Sequence, residues 1–211
     1  MRRTLIGLAV GALAALALAG PASAAPGQVT HFRFHGSFAQ AEWFISTDTS
    51  FTDTYVNVSR TKQGSELFVD QYTAHFDASG NFTGATDTSA DVTSGFTFSI
   101  ARNLSVASVT GSGLPATTCT YDADYNVIGC TDTTIDVSVT WTGQGPIARE
   151  TFNQHFKVDG FSETDHFNGT FRDATASGTI GGVPLNAGDL EYADLGTANS
   201  GSTVLCIGNS C

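Results

Sequence analysis

Five glutamates, Glu42, Glu66, Glu150, Glu163 and Glu191, are the residues of this chain best suited by type to general acid and base work. Hydrolysis of a glycosidic bond needs two such carboxylates facing each other across a cleft. No two of these glutamates stand two apart on one strand, so only the fold could bring a pair together. Asp122, Asp124 and Asn126 open like a calcium loop, in which alternate oxygens converge on one hard cation. The likeness then stops: Val127 occupies the sixth position, where a Gly makes the bend, and Thr133 the twelfth, where a Glu closes the shell. Asp77, Ser79 and Asn81 form a sister segment with one carboxylate fewer, and both segments read as turns. Of the histidines His31, His35, His75, His155 and His166, the first two stand four apart on a strand, about 13 Å from each other, and cannot share an ion. Ser112, between Gly111 and Gly113, lacks the elbow pattern of a serine nucleophile. Asn57, Asn81, Asn103 and Asn168 begin N-x-S/T triplets, which a chain so rich in Ser and Thr produces by chance. No residue is therefore assigned to catalysis, to a cofactor or to a metal, and no cofactor is expected.

The cysteines have a different use. Cys119, Cys130, Cys206 and Cys211 make an even count, which in an exported chain points to two disulfides, with three connectivities open. Local pairing is expected, because Cys119 and Cys130 bracket a hairpin and Cys206 and Cys211 bracket the turn pair Gly208-Asn209. A zinc site would need short paired spacings or nearby histidines, and neither is present in the sequence.

That hairpin belongs to an internal repeat. Phe76 to Thr97 returns 45 residues later as Tyr121 to Thr142, with ten of 22 aligned positions identical. Asp77/Asp122, Asn81/Asn126, Gly84/Gly129 and the two Thr-Asp-Thr triplets are among them. Each copy reads as a strand, a turn rich in Asp, Asn and Gly, and a second strand. If Cys119 and Cys130 face each other, the loop between them has an even register centred on Asp124-Tyr125, and the repeat then pairs Ala74 with Ala85. A three-residue turn with Gly80 left-handed competes with this and would put Ala74 and Ala85 on opposite faces.

Around the repeat nearly every segment alternates. Ala39, Ala41, Trp43 and Ile45 interleave with polar neighbours, as do Val56 and Val58, Leu67 and Val69, and Phe96, Phe98 and Ile100. Ile135, Val137, Val139 and Trp141 are the clearest series. Period two with one apolar side predicts antiparallel strands with one face buried and one wet. Asp159-Gly160 is read as a further turn, and Phe161 to Phe171, Ala174 to Ile180 and Asp189 to Leu195 as separate short strands. A dozen or more such strands predict an all-β fold, an antiparallel two-sheet sandwich or jelly roll, with a β-barrel as the alternative.

Residues 1–24 carry Arg2-Arg3, an apolar run from Leu5 to Ala19 and the small-residue site Ala22-Ser23-Ala24, the layout of a secretory signal. The apolar run is shorter than a bilayer span, and no lipidation cysteine or apolar tail suggests a membrane anchor. Cleavage leaves residues 25–211, read as a single all-β domain containing the hairpin repeat at 76–97 and 121–142. The expected location is outside the cell. The remaining chain has seven Lys and Arg against 20 Asp and Glu, a net charge of −13 (7 − 20), which excludes the basic face that nucleic acid requires.

Trp141-Thr142-Gly143-Gln144-Gly145-Pro146, followed by residues 166–170 and 172–178, resembles a group of uncharacterised secreted bacterial β-rich proteins. The resemblance implies secretion and a β-rich fold, and carries over no site residue. The function expected from the sequence is a secreted, non-catalytic β-sandwich that binds an extracellular glycan or protein. The rivals are a secreted hydrolase of glycans or peptides using acidic residues, and a peptidase inhibitor presenting Tyr121 to Ile128.

Overall fold

The computed structural model describes residues 28–158 and 161–207. The expected export signal and cleavage site, the expected turn at Asp159-Gly160, and Cys211 lie outside the described residues. Every regular element among the described residues is a strand: β1 (Gln28–Ser46), β2 (Ser50–Thr61), β3 (Ser65–Phe76), β4 (Phe82–Val92), β5 (Phe96–Ile100), β6 (Val106–Tyr121), β7 (Val127–Gly143), β8 (Ala148–Val158), β9 (Phe161–Ile180), β10 (Val183–Leu185) and β11 (Leu190–Ile207). The fold is all-β and sandwich-like, as the alternation requires. It uses fewer and longer strands than the turn residues suggest. Arg172 and Asp173, between the segments expected at 161–171 and 174–180, continue β9 rather than break it; Gly169 and Gly178 lie inside the strand, and a Cβ at Gly178 would stand 1.9 Å from the Ser138 carbonyl oxygen. These glycines let neighbouring backbones approach closely, so the strand continues through them.

Contacts divide the chain into two units. The larger holds residues 33–153 and 166–202. In it β1, β2, β3, β4, β6, β7, β9 and β11 pair in succession, β11 returns to β1, and β5 and β10 flank β6 and β9. The inward positions are those that alternate: Ala39, Ala41, Trp43, Val56, Val58, Leu67, Val69, Ile135, Val137, Val139 and Trp141 are all buried in one cluster. Trp141 is fully enclosed, and its Nε1 donates to the Gln40 carbonyl at 2.9 Å, tying β7 to β1 through the interior. A second cluster gathers Phe38, Phe167, Phe171 and Ala198, with Phe34 and Phe152 against it. Gly196 is required there, since a Cβ would lie 2.3 Å from the Phe38 ring.

The smaller unit contributes residues 28–32, 154–158, 161–165 and 203–207 of the described chain. Within it His155 Nδ1 meets Thr164 Oγ1 at 2.8 Å, and the rings of Phe156 and Phe161 meet edge to face.

Both copies of the repeat form the same hairpin end. Asp77 N–H donates to Asn81 O and Gly80 N–H to Asp77 O, each at 2.9 Å; Asp122 N–H to Asn126 O and Tyr125 N–H to Asp122 O match them at 3.0 and 3.1 Å. The aspartate side chain then closes each loop. Asp77 Oδ1 accepts from Ser79 N–H and Asn81 N–H, as Asp122 Oδ1 does from Asp124 N–H and Asn126 N–H. Ala74 faces Ala85 and Cys119 faces Cys130. The two readings of the turn are reconciled by a bulge. Gly80 is left-handed (φ 81°), as a three-residue turn demands, and the register shift between His75 and Phe76, matched between Thr120 and Tyr121, absorbs the extra residue.

Cys119 and Cys130 are bridged, with Cα atoms 4.0 Å apart. Cys206 is also disulfide-bonded, and its expected partner Cys211 lies outside the described residues. A disulfide fits an extracellular protein. No helix of the described residues is long and apolar enough to cross a membrane.

Candidate functional site

The core takes one parity of each strand in the larger unit, and the other parity faces outward. Register sets these outward side chains in rows. One row runs Ser46, Phe51, Ala74, Ala85, Tyr121 and Val127 across β1, β2, β3, β4, β6 and β7, its two alanines buried under their neighbours. The next runs Phe44, Asp53, Tyr72, Asp87, Cys119 and Cys130, and the third Glu42, Tyr55, Asp70, Ser89, Thr117 and Asp132.

Aromatic rings form a chain along this face. Phe44 stacks on Phe51 at 5.3 Å between centroids, Phe51 meets Phe76 at 5.8 Å, Phe76 meets Phe82 at 6.1 Å, and Phe82 stacks on Tyr125 at 4.2 Å with ring planes 8° apart. Tyr72 lies beside Phe51 at 5.9 Å. The ends of the chain are the most open: Phe44 is 46% and Tyr125 64% exposed.

Carboxylates line the rings. Burial first, and then the charge of Asp87, push Asp70 up to about 7; a hydrogen bond to Asp87 and the charge of Asp53 act in the same direction. Glu42 is raised by burial and by the charges of Asp53 and Glu191, and Asp53 by burial and Glu191. The two pairs, Asp70 with Asp87 and Glu42 with Asp53, stand within hydrogen-bonding reach of each other. Asp53 and Asp87 each have an Oδ1 sealed from solvent and without a hydrogen-bond partner. Tyr55 donates to Gln40 Oε1 at 3.3 Å, and Asn57 Nδ2 approaches the same oxygen at 3.4 Å. Burial raises the Tyr55 and Tyr192 hydroxyls. From Ser65 to Gly143 the only Lys or Arg is Arg102, so β3, β4, β6 and β7 offer this face no cation.

Of the five glutamates, the fold brings only Glu42 and Glu191 into mutual influence, beside Asp53. Glu66 is raised by burial and by Asp91 across the β3–β4 pair, Glu150 stands half-buried on β8, and Glu163 belongs to the smaller unit with Asp165. Ser112 Oγ and Gly113 N–H both donate to Asp136 Oδ1 at 2.7 Å, which pins the β6 bulge. Among the described residues no three of His, Cys, Asp and Glu gather closely enough to hold a metal ion. Asp53, Asp70 and Asp87, with Phe44, Phe51, Phe76 and Phe82, are the residues that reading the sequence passed over. Their signal was aromatic residues at positions that alternation assigns to water.

A hollow lies away from this face. It is a wide-open space of about 430 Å³ lined by His35, Arg60, Lys62 and Thr197 among others. Its polar groups are partly engaged already, His35 Nδ1 with the Asn199 carbonyl and Arg60 over the Phe98 ring. The aromatic face carries the denser convergence of chemistry, and an open row of rings is a surface for stacking rather than a cavity.

No family model matches the chain, no curated protein matches it, and no solved structure matches it. Fold and face therefore define it by themselves: an all-β, antiparallel, sandwich-like protein with an aromatic and acidic sheet face.

Proposed function

We propose that this is an exported, non-catalytic protein whose aromatic face binds an extracellular glycan, one that is uncharged or bears amino groups. The observation that carries this is the continuous row Phe44–Phe51–Phe76–Phe82–Tyr125. Sugar rings have an apolar C–H face that packs on an aromatic ring and a hydroxyl rim that seeks polar partners. Asp53, in register between Phe44 and Tyr72, and the Tyr72 hydroxyl stand beside the rings to meet that rim. The absence of Lys and Arg from β3, β4, β6 and β7 disfavours sulfated or phosphorylated chains, whose charge would meet Asp70, Asp87 and Asp91 unrelieved.

The hydrolase reading is weaker on geometry. The two carboxyl pairs of the face are hydrogen-bonded to each other, closer than the roughly 5–9.5 Å that glycoside hydrolysis uses to flank a bond. The inhibitor reading needs an extended segment that a peptidase could align with its own strands, whereas Asp122 to Asn126 is a tight turn.

Titration calorimetry with hexaoses of β-1,4-linked glucose, N-acetylglucosamine and glucosamine, and with a sulfated glycan, tests the proposal. Saturable binding to at least one hexaose, none to the sulfated chain, and at least tenfold loss in Phe51→Ala are expected. Release of new reducing ends, abolished by Glu42→Gln, would instead establish the hydrolase.

A further inference from the structure

We infer that Tyr125 is the residue that stacks on the bound sugar at the end of the aromatic row, and that the second hairpin keeps it in a left-handed backbone conformation to present its free ring face. This rests on the glycan reading above. The two hairpins are hydrogen-bonded alike, residue for residue, from Asp77 to Asn81 and from Asp122 to Asn126. The left-handed position is Gly80 (φ 81°) in the first and Tyr125 (φ 62°) in the second. Space is not the reason for the difference, since a Cβ at Gly80 would meet nothing within 4 Å. The backbone is the reason to prefer glycine: this region disfavours any residue with a Cβ, and a bulky aromatic most of all.

Leu104, with φ 52°, is the other non-glycine residue in this region among the described residues, and it is 1% exposed, so core packing holds it there. Tyr125 has no core around it. It is 64% exposed, one ring face lies on Phe82 at 4.2 Å, and the other is open. An exposed aromatic kept in an unfavourable conformation, where the sister copy has glycine, is the signature of a residue retained for contact. The hairpin is also stiff. Asp122 ties both ends of the turn, and the Cys119–Cys130 bridge closes the strands just behind it, so little order is lost when a ligand settles on the ring.

Tyr125→Gly separates contact from architecture, because the sister turn already folds with glycine. The variant should melt at the wild-type temperature or above it and lose at least tenfold in affinity for whichever hexaose the wild type binds; Tyr125→Trp should retain the affinity. A Tyr125→Gly protein that melts lower and binds as tightly as wild type assigns the ring a structural role and overturns the inference while leaving glycan binding standing. A Tyr125→Gly protein that is as stable and binds equally well overturns it too. Wild-type protein that binds none of the hexaoses overturns both the inference and the reading beneath it.

Discussion

Two tryptophans with the same burial have different partners, and the difference is measurable. Trp43 and Trp141 are both fully enclosed, but only Trp141 Nε1 has an acceptor, the Gln40 carbonyl; Trp43 Nε1 has none. Replacing Trp141 by Phe removes a made bond as well as volume, at a cost of about 1–3 kcal/mol for the lost bond. Trp43→Phe loses similar volume but also removes an orphaned donor, so it should cost less; urea titrations of the two variants check the order. Asp70 gives the second residue-scale prediction. Its folded pKa of about 7 stands above its ordinary value of 3.8, so its stabilising contribution is complete below about 3.8 and is lost as pH rises through about 7. Glu42, Asp53 and Glu66 are shifted in the same direction. Asp77, Asp122 and Asp136, held down by hydrogen bonds, work the opposite way and lose their contribution only below the usual aspartate range. The melting temperature should therefore peak in mildly acid solution and fall toward pH ~8, and Asp70→Asn should flatten that fall and raise the melting temperature at the alkaline end.

At the scale of the element, the repeat is a hairpin with one bridge used and one vacant. Ala74 and Ala85 face each other as Cys119 and Cys130 do, under the same bulge and the same aspartate-closed turn. Ala74→Cys with Ala85→Cys should oxidise in air, visible as a mass loss of about two hydrogens, and stabilise the chain by up to about 3 kcal/mol through closing a loop of about 12 residues. A pair that stays reduced would show that the flanking Phe51 and Tyr121, which stand beside these positions in register, leave no room for two sulfurs.

For the whole molecule, the balance of one face against the other decides what the surface can do. Alternation in Ile135, Val137, Val139 and Trp141, or in Leu67 and Val69, was enough to name the core, because a strand has only two sides and water selects between them. The repeat and the cysteine spacing likewise foretold the Cys119–Cys130 pair, since facing positions in a hairpin are fixed by local chain length. The outward face could not be read in that way. Phe44, Phe51, Phe76 and Phe82 are separated in the chain by polar and turn residues, and nothing in their spacing joins them. They become a row only when β1 to β4 are laid in register, and Tyr125 joins it only because the β6–β7 turn comes beside β4. Asp70 and Asp87 meet for the same reason: they are 17 residues apart on strands whose register sets Tyr72, not Asp70, opposite Asp87. Sequence by itself determined which residues leave water, because that is a property of each side chain and its period; which of the remaining residues become neighbours was decided by strand order and register, which depend on contacts between segments far apart in the chain.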